Sequence, residues 1–179
     1  MSISVVHTMN NEVFELFFAM LSLGTLGFGL IVLFARIFKV KNFLIEVQKI
    51  ALPLVALITT TAMLGSLYFS EIVNYKPCRL CWYQRSAMYP LAIVLVIANF
   101  KKLKITRLFV VVVASIGGFI SAYHWFLERF PNLDAGVCDV DLPCEFIWFE
   151  NFGFVTLAFM AFTAFFTTLV LVTIRTTEE

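Results

Sequence analysis

The chain predicts an all-α integral membrane protein, a four-helix transmembrane bundle with one extra N-terminal transmembrane helix. Two observations carry this. The composition is 61% hydrophobic and 14% charged over 179 residues, with a mean hydropathy of +0.92, too apolar for a soluble domain of this length. Five apolar segments are each long enough to cross about 30 Å of hydrocarbon, and only short polar stretches join them.

The first segment, Val13 to Phe34, is followed rather than preceded by basic residues. It therefore reads as an uncleaved anchor and not a signal peptide. After it, Val40, Phe43, Leu44 and Val47 recur at helical spacing among Lys39, Lys41, Glu46 and Lys49, as in a helix lying along the inner surface. Residues 1–48 thus form an anchor and interfacial segment, and 49–179 the main bundle. Its spans are Ile50 to Phe69, Trp82 to Phe100, Leu108 to Phe126 and Phe152 to Ile174.

Orientation follows the basic residues, which stay on the cytoplasmic side. Arg36, Lys39, Lys41, Lys49, Lys101, Lys102, Lys104, Arg107 and Arg175 mark one face, and Lys76, Arg79, Arg85 and Arg129 the other. Nine against four puts the N-terminus outside and the C-terminus inside. Trp82, Trp125 and Trp148 then fall at outer helix ends, where indoles favour the water–lipid boundary. No nucleic-acid partner is expected.

All four cysteines lie outside the predicted spans and on the exterior face, Cys78 and Cys81 in one connection, Cys138 and Cys144 in the next. Two close pairs on an oxidising face suggest two disulfides and give no call for a metal. Cys78 and Cys81 form a Cys-x-x-Cys at a helix mouth, where the dipole and unpaired N–H groups stabilise a thiolate, expected on Cys81. Arg85 follows one turn deeper on the same face, about 6 Å along the axis. An arginine at that depth needs a partner or must snorkel. It reads as stabilising the thiolate and donating to a carbonyl oxygen of a lipid-soluble acceptor.

Pro90 removes the helical partner of the Ser86 carbonyl, which either opens a pocket or makes an ordinary kink. The Cys138 to Cys144 loop, with Asp139, Asp141 and Pro143, lies in the connection from Leu127 to Glu150. It reads either as a structural staple or as a relay taking electrons from a soluble thiol protein.

Pro77-Cys78-Arg79-Leu80-Cys81-Trp82-Tyr83-Gln84-Arg85, followed by Met88-Tyr89-Pro90, resembles the quinone-coupled site of the disulfide bond formation protein B family, DsbB, and within it the shorter C-type branch, BdbC. Pro143-Cys144 and Asn151-Phe152-Gly153-Phe154 are similar as well. The likeness spans roughly residues 50 to 174.

The resemblance implies a thiol:quinone oxidoreductase of the bacterial cytoplasmic (inner) membrane that reoxidises a soluble thioredoxin-fold dithiol oxidase, DsbA-like, and draws on the respiratory quinone pool, ubiquinone or menaquinone. It makes Cys78 and Cys81 the quinone-reducing pair, with Cys81 nearest the ring and Arg85 holding it. Cys138 would exchange with the partner and Cys144 pass electrons to Cys78. Two features depart from the family: only five residues separate the loop cysteines, and the first helix is extra.

Other residues carry less. His124 either assists a quinone oxygen or is a packing histidine. Glu71 and Gln84 could line the same region, and Glu15 reaches the interface. Thr59, Thr60, Thr61, Gly117 and Gly118 permit close helix packing. Asp139, Asp141 and Glu145 make the loop acidic. The rival readings are a vitamin K epoxide reductase-like enzyme, in which the loop pair precedes the membrane pair, a membrane protein binding zinc or an iron–sulfur cluster through the four thiolates, which an oxidising exterior disfavours and which leaves Arg85 unexplained, and a structural or transport protein with two disulfide staples and inert cysteines.

Overall fold

The computed structural model describes residues 2–102, 107–133, 136–138 and 143–174, and side chains from residue 11 onward, Leu133 excepted. Lys104, Asp139, Asp141 and Arg175 lie outside the described residues. Five helices carry the chain: α1 (Ser2–Ile37), α2 (Lys41–Leu67), α3 (Arg79–Lys101), α4 (Arg107–Arg129) and α5 (Leu157–Val172). One π-helical turn, Tyr68–Ile72, ends α2, and the short 3-10 turn Pro131–Leu133 follows α4.

Among the described residues, four helical stretches are long and apolar enough to cross a membrane: Asn11–Ile37, Lys41–Ile72, Arg79–Lys101 and Arg107–Arg129. The protein is a multi-pass membrane protein. The first stretch, at 27 residues, reaches about 40 Å, more than the hydrocarbon thickness requires.

The fifth helix departs from the sequence expectation. It starts at Leu157, not Phe152, because Phe152 and Gly153 take left-handed backbone (φ +57° and +75°) in a tight turn closed by the Asn151–Val155 bridge. Thr156 then caps the helix, its Oγ1 accepting the Phe159 N–H at 3.3 Å. The remaining 16 residues span about 24 Å. They need not reach further, since α5 packs against α1, α2 and α4 at the centre of the bundle. Being apolar all round is what such a position demands.

Small residues set the helix separations. A Cβ on Gly117 would stand 2.3 Å from the Phe165 ring, so α4 and α5 approach there only because the side chain is absent. Gly65 faces the Phe18 ring across α1 and α2 in the same way, and Gly29 faces Thr167 across α1 and α5. Thr59 turns its hydroxyl back to the Val55 carbonyl at 2.7 Å and stays fully buried.

The interfacial helix expected near residues 40–49 is not a separate element. Those residues form the first turns of α2, which runs through Pro53 without a break, and Leu44 and Val47 are buried in the main core. At the same end of the bundle, Arg107 donates to the Ile174 carbonyl at 2.7 Å and Arg36 to the Thr173 hydroxyl at 3.1 Å. These cations satisfy the C-terminal end of α5, where the helix dipole favours positive charge.

Candidate functional site

The opposite end of the bundle gathers the sulfur chemistry. Pro77 holds the preceding chain extended, and Cys78 (ψ 176°) becomes the N-cap of α3, its sulfur accepting the Cys81 N–H at 3.3 Å. The first-turn N–H expected to favour a Cys81 thiolate is therefore spent on Cys78. The Cys78 thiol is drawn down to about 4, first by the hydrogen bond from the Cys81 thiol; burial opposes this and His124 adds to it.

Cys78 Sγ and Cys81 Sγ stand 2.9 Å apart and unbonded, whereas Cys138 and Cys144 form a disulfide. One disulfide is present where the sequence suggested two. The two pairs share one apolar cluster with Leu80 and Leu127. Three tethers hold the second loop over the first: Arg79 donates to the Val137 carbonyl at 3.1 Å, His124 Nε2 lies 3.1 Å from the Cys144 carbonyl, and Trp148 donates to the Lys76 carbonyl at 3.3 Å. Trp148 thus sits in this loop and not at a helix end. Within the loop pair, Cys144 is sealed at 1% exposure while Cys138 is partly open.

His124, from the last turns of α4, is buried with Nε2 3.6 Å from Cys78 Sγ. Gln84, on α3 and also buried, brings its amide Nε2 to His124 Nδ1 at 2.8 Å. With the amide donating, the neutral ring carries its proton on Nε2, toward Cys78 and the Cys144 carbonyl. The donor atoms of Cys78, Cys81 and His124 all lie within 4.8 Å of one another. Glu128, one turn further along α4 and passed over in the sequence, accepts from Thr156 at 2.6 Å. It joins Cys78, Cys81 and His124 around a cavity of about 20 Å³, room for one water.

A second cavity, about 570 Å³, lies on the other side of Cys81. Arg85, Gln84, Ser66, Tyr89 and Cys81 give it one polar wall, and the rest is mostly apolar. Arg85 is held by Ser66, through Nε to the hydroxyl at 2.9 Å and Nη2 to the carbonyl at 3.1 Å, with its guanidinium 5.4 Å from the Trp82 ring centre. Tyr75 and Trp148, stacked with ring centres 4.8 Å apart, border the same space. Burial, and the Glu15 carboxylate to which it donates, hold the Tyr75 phenol proton well above its ordinary range.

Cys81 lines both cavities. His124 borders the small cavity and is absent from the lining of the large one. Glu71 does neither; its carboxylate takes the Ser70 hydroxyl at 3.0 Å.

A family model described as disulfide bond formation protein DsbB matches residues 48–174, which includes every residue of this cluster on α2 through α5. The chain belongs to the DsbB family. Among its relatives, the probable disulfide formation protein C of Halalkalibacterium halodurans is 49% identical over 106 residues, 59% of this chain and 77% of that protein. The disulfide bond formation protein C of Bacillus subtilis is 45% identical over 106 residues, 58% and 76% of the two chains. The probable disulfide formation protein C 2 of Bacillus cereus is 33% identical over 133 residues, 74% and 96%. These names agree with the C-type branch that the Cys-x-x-Cys segment resembles. No solved structure matches the chain. The DsbB match leaves α1 outside, so Glu15 and the α1 residues that border the large cavity lie beyond the matched segment.

Proposed function

We propose that the protein is a membrane thiol:quinone oxidoreductase that reoxidises a soluble thioredoxin-fold dithiol oxidase and so supports disulfide formation in exported proteins. Its family and relatives support disulfide chemistry in a multi-pass membrane protein. The single observation that favours the quinone-linked reading is the position of Cys81, which borders a thiol cluster on one side and a large apolar cavity headed by Arg85 on the other.

The large cavity fits a quinone in kind. Its volume lies in the range that buries a drug-sized ligand, and its walls are mostly apolar with a few convergent polar groups. Arg85 supplies N–H donors suited to a carbonyl oxygen, and Cys81 the adjacent sulfur. A quinone bound there would take up two electrons and two protons.

The route begins at the loop. A thiolate of the partner attacks the Cys138–Cys144 disulfide at Cys138, the more open sulfur, and the second partner thiol then displaces Cys138 to leave a partner disulfide. The reduced loop pair exchanges with an oxidised Cys78–Cys81 pair, Cys144 passing its electrons to Cys78. Two electrons then leave Cys78 and Cys81 for the quinone, and the Cys78–Cys81 disulfide reforms. With Cys78 already ionised, the quinone's two protons come one from the Cys81 thiol and one from water. In the sequence, nine basic residues flank the other helix ends against four near the cysteines, which favours this site facing the exterior of a bacterial cytoplasmic membrane.

The test is a single-turnover titration. Pre-reduced protein, free of other thiols and air, receives a soluble quinone analogue, and peptide mass mapping follows the cysteines. Consumption of quinone matched by formation of a Cys78–Cys81 disulfide supports the reading; unchanged quinone beside fully reduced cysteines rejects it.

A further inference from the structure

The helix outside the family match borders the large cavity. Phe17, Phe18, Leu21, Ser22 and Thr25 of α1 line it opposite Cys81 and Arg85. The bundle is built so that this wall is needed. Toward the inner face, Val55 and Ala56 of α2 and Val170 and Leu171 of α5 belong to one packed core. Toward the outer face the cavity occupies the space between these helices, and α1 lies against both. Phe18 packs on Gly65 of α2, and the Thr25 carbonyl accepts the Thr167 hydroxyl of α5 at 3.0 Å.

The chemistry of this wall differs from that of the wall across from it. Arg85, Gln84, Tyr89 and Cys81 bring polar atoms from α3. On α1, both hydroxyl groups are already spent within the helix, Ser22 on the Ala19 carbonyl at 2.8 Å and Thr25 on the Leu21 carbonyl at 2.8 Å. What remains toward the cavity is aromatic and aliphatic. Such a surface rewards burial of hydrocarbon and offers nothing to a carbonyl oxygen.

We propose that α1 forms the binding wall for the hydrocarbon tail of a tailed quinone, with Phe17, Leu21, Ser22 and Thr25 determining which tails are accepted. The assignment rests on the quinone reading above. The head group belongs to the α3 wall and the tail to α1. The Glu15–Tyr75 hydrogen bond fastens α1 beside the cavity's aromatic border.

The experiment uses the full-length protein in detergent with two probes, a tail-less benzoquinone and a decyl-tailed one, in wild type, Leu21→Trp and Thr25→Trp. A third probe, a decyl-tailed quinone with a photoreactive tail end, is crosslinked without turnover and its attachment mapped. Filling the wall should raise KM for the decyl quinone about tenfold, the contact of roughly two buried methylene groups. The tail-less quinone's KM should stay unchanged, and wild-type label should fall within residues 17–25. Equal KM changes for both quinones, or label confined to α2, α3 and α5, would overturn the assignment while leaving the quinone reading standing. Wild type that reduces neither quinone would reject that reading, and the tail wall with it. If one tryptophan variant fails to fold, the other and the photolabel still decide.

Discussion

Gln84 Nε2 lies 2.8 Å from His124 Nδ1, deep between α3 and α4, and this one contact fixes which face of the imidazole the sulfur cluster meets. With Nδ1 accepting from the amide, Nε2–H points to Cys78 Sγ and the Cys144 carbonyl. Gln84→Leu would leave a buried ring nitrogen without its donor. It should cost about 1–3 kcal/mol of stability in a detergent melt and slow electron passage between the two cysteine pairs. Unchanged melting and unchanged exchange would remove Gln84 from the account.

Cys78 should behave as a thiolate at any physiological pH. Its thiol is held at about 4 by the Cys81 hydrogen bond and by His124. The sign follows from linkage: in the reduced protein the ionised sulfur contributes stability that is complete above the ordinary thiol value of about 8.5 and is lost as pH falls through about 4. Alkylation of reduced Cys78, read by peptide mass, should stay level as pH is lowered from neutrality to about 5 and drop only near about 4. A rate falling tenfold per pH unit below about 8 would show an ordinary thiol.

Arg85 is fastened to Ser66 at two points, which aims a fixed donor set along the cavity. Arg85→Ala should raise the quinone KM by about tenfold or more, the scale of one lost charged hydrogen bond, with little change in KM for the dithiol partner. Ser66→Ala should move the same parameter in the same direction but less. Equal effects on both substrates would point to a folding defect.

The loop roles are separable by accessibility. Cys144 is sealed and Cys138 partly open. Cys144→Ser, mixed with the partner in its oxidised disulfide form, should therefore accumulate a mixed disulfide as the free Cys138 thiolate attacks the partner disulfide and releases one partner thiol, read on a non-reducing gel. If only Cys138→Ser yields the adduct, the two roles exchange.

Gly117 is a point of close α4–α5 approach. Gly117→Ala drives a methyl group into the fully buried Phe165 ring and should destabilise by about 1–3 kcal/mol. Adding Phe165→Leu should recover part of the loss in a detergent melt; no recovery would place the strain elsewhere.

The helices were legible because membrane spans announce themselves through length and apolar composition. The four cysteines and Arg85 were legible because their spacing at a helix mouth carries chemistry. Other features were not, the merging of the expected interfacial segment into α2 among them. The start of α5 was misplaced because Phe152 and Phe154 look like helix, while the turn depends on left-handed backbone at Phe152 and Gly153. The choice of Cys78 as thiolate depends first on the hydrogen bond from Cys81 that its N-cap position sets up, and His124, 46 residues away and brought beside it only by packing, adds to it. Glu128, Tyr75 and the inner face of α1 gain their meaning from cavities, which no local pattern encodes; a charged residue one turn beyond His124 was the one available hint.

Cys81 stands between the thiol cluster and the large cavity. The direct measurement is anaerobic turnover of purified protein with a reduced thioredoxin-fold dithiol and a soluble quinone analogue, following quinone absorbance in wild type and Cys81→Ser. Wild type should reduce quinone steadily and Cys81→Ser not at all, while the variant still forms mixed disulfides with the dithiol. Quinone reduction that persists without Cys81, or a wild type that leaves the quinone untouched while accepting electrons from the dithiol, would contradict this role for Cys81.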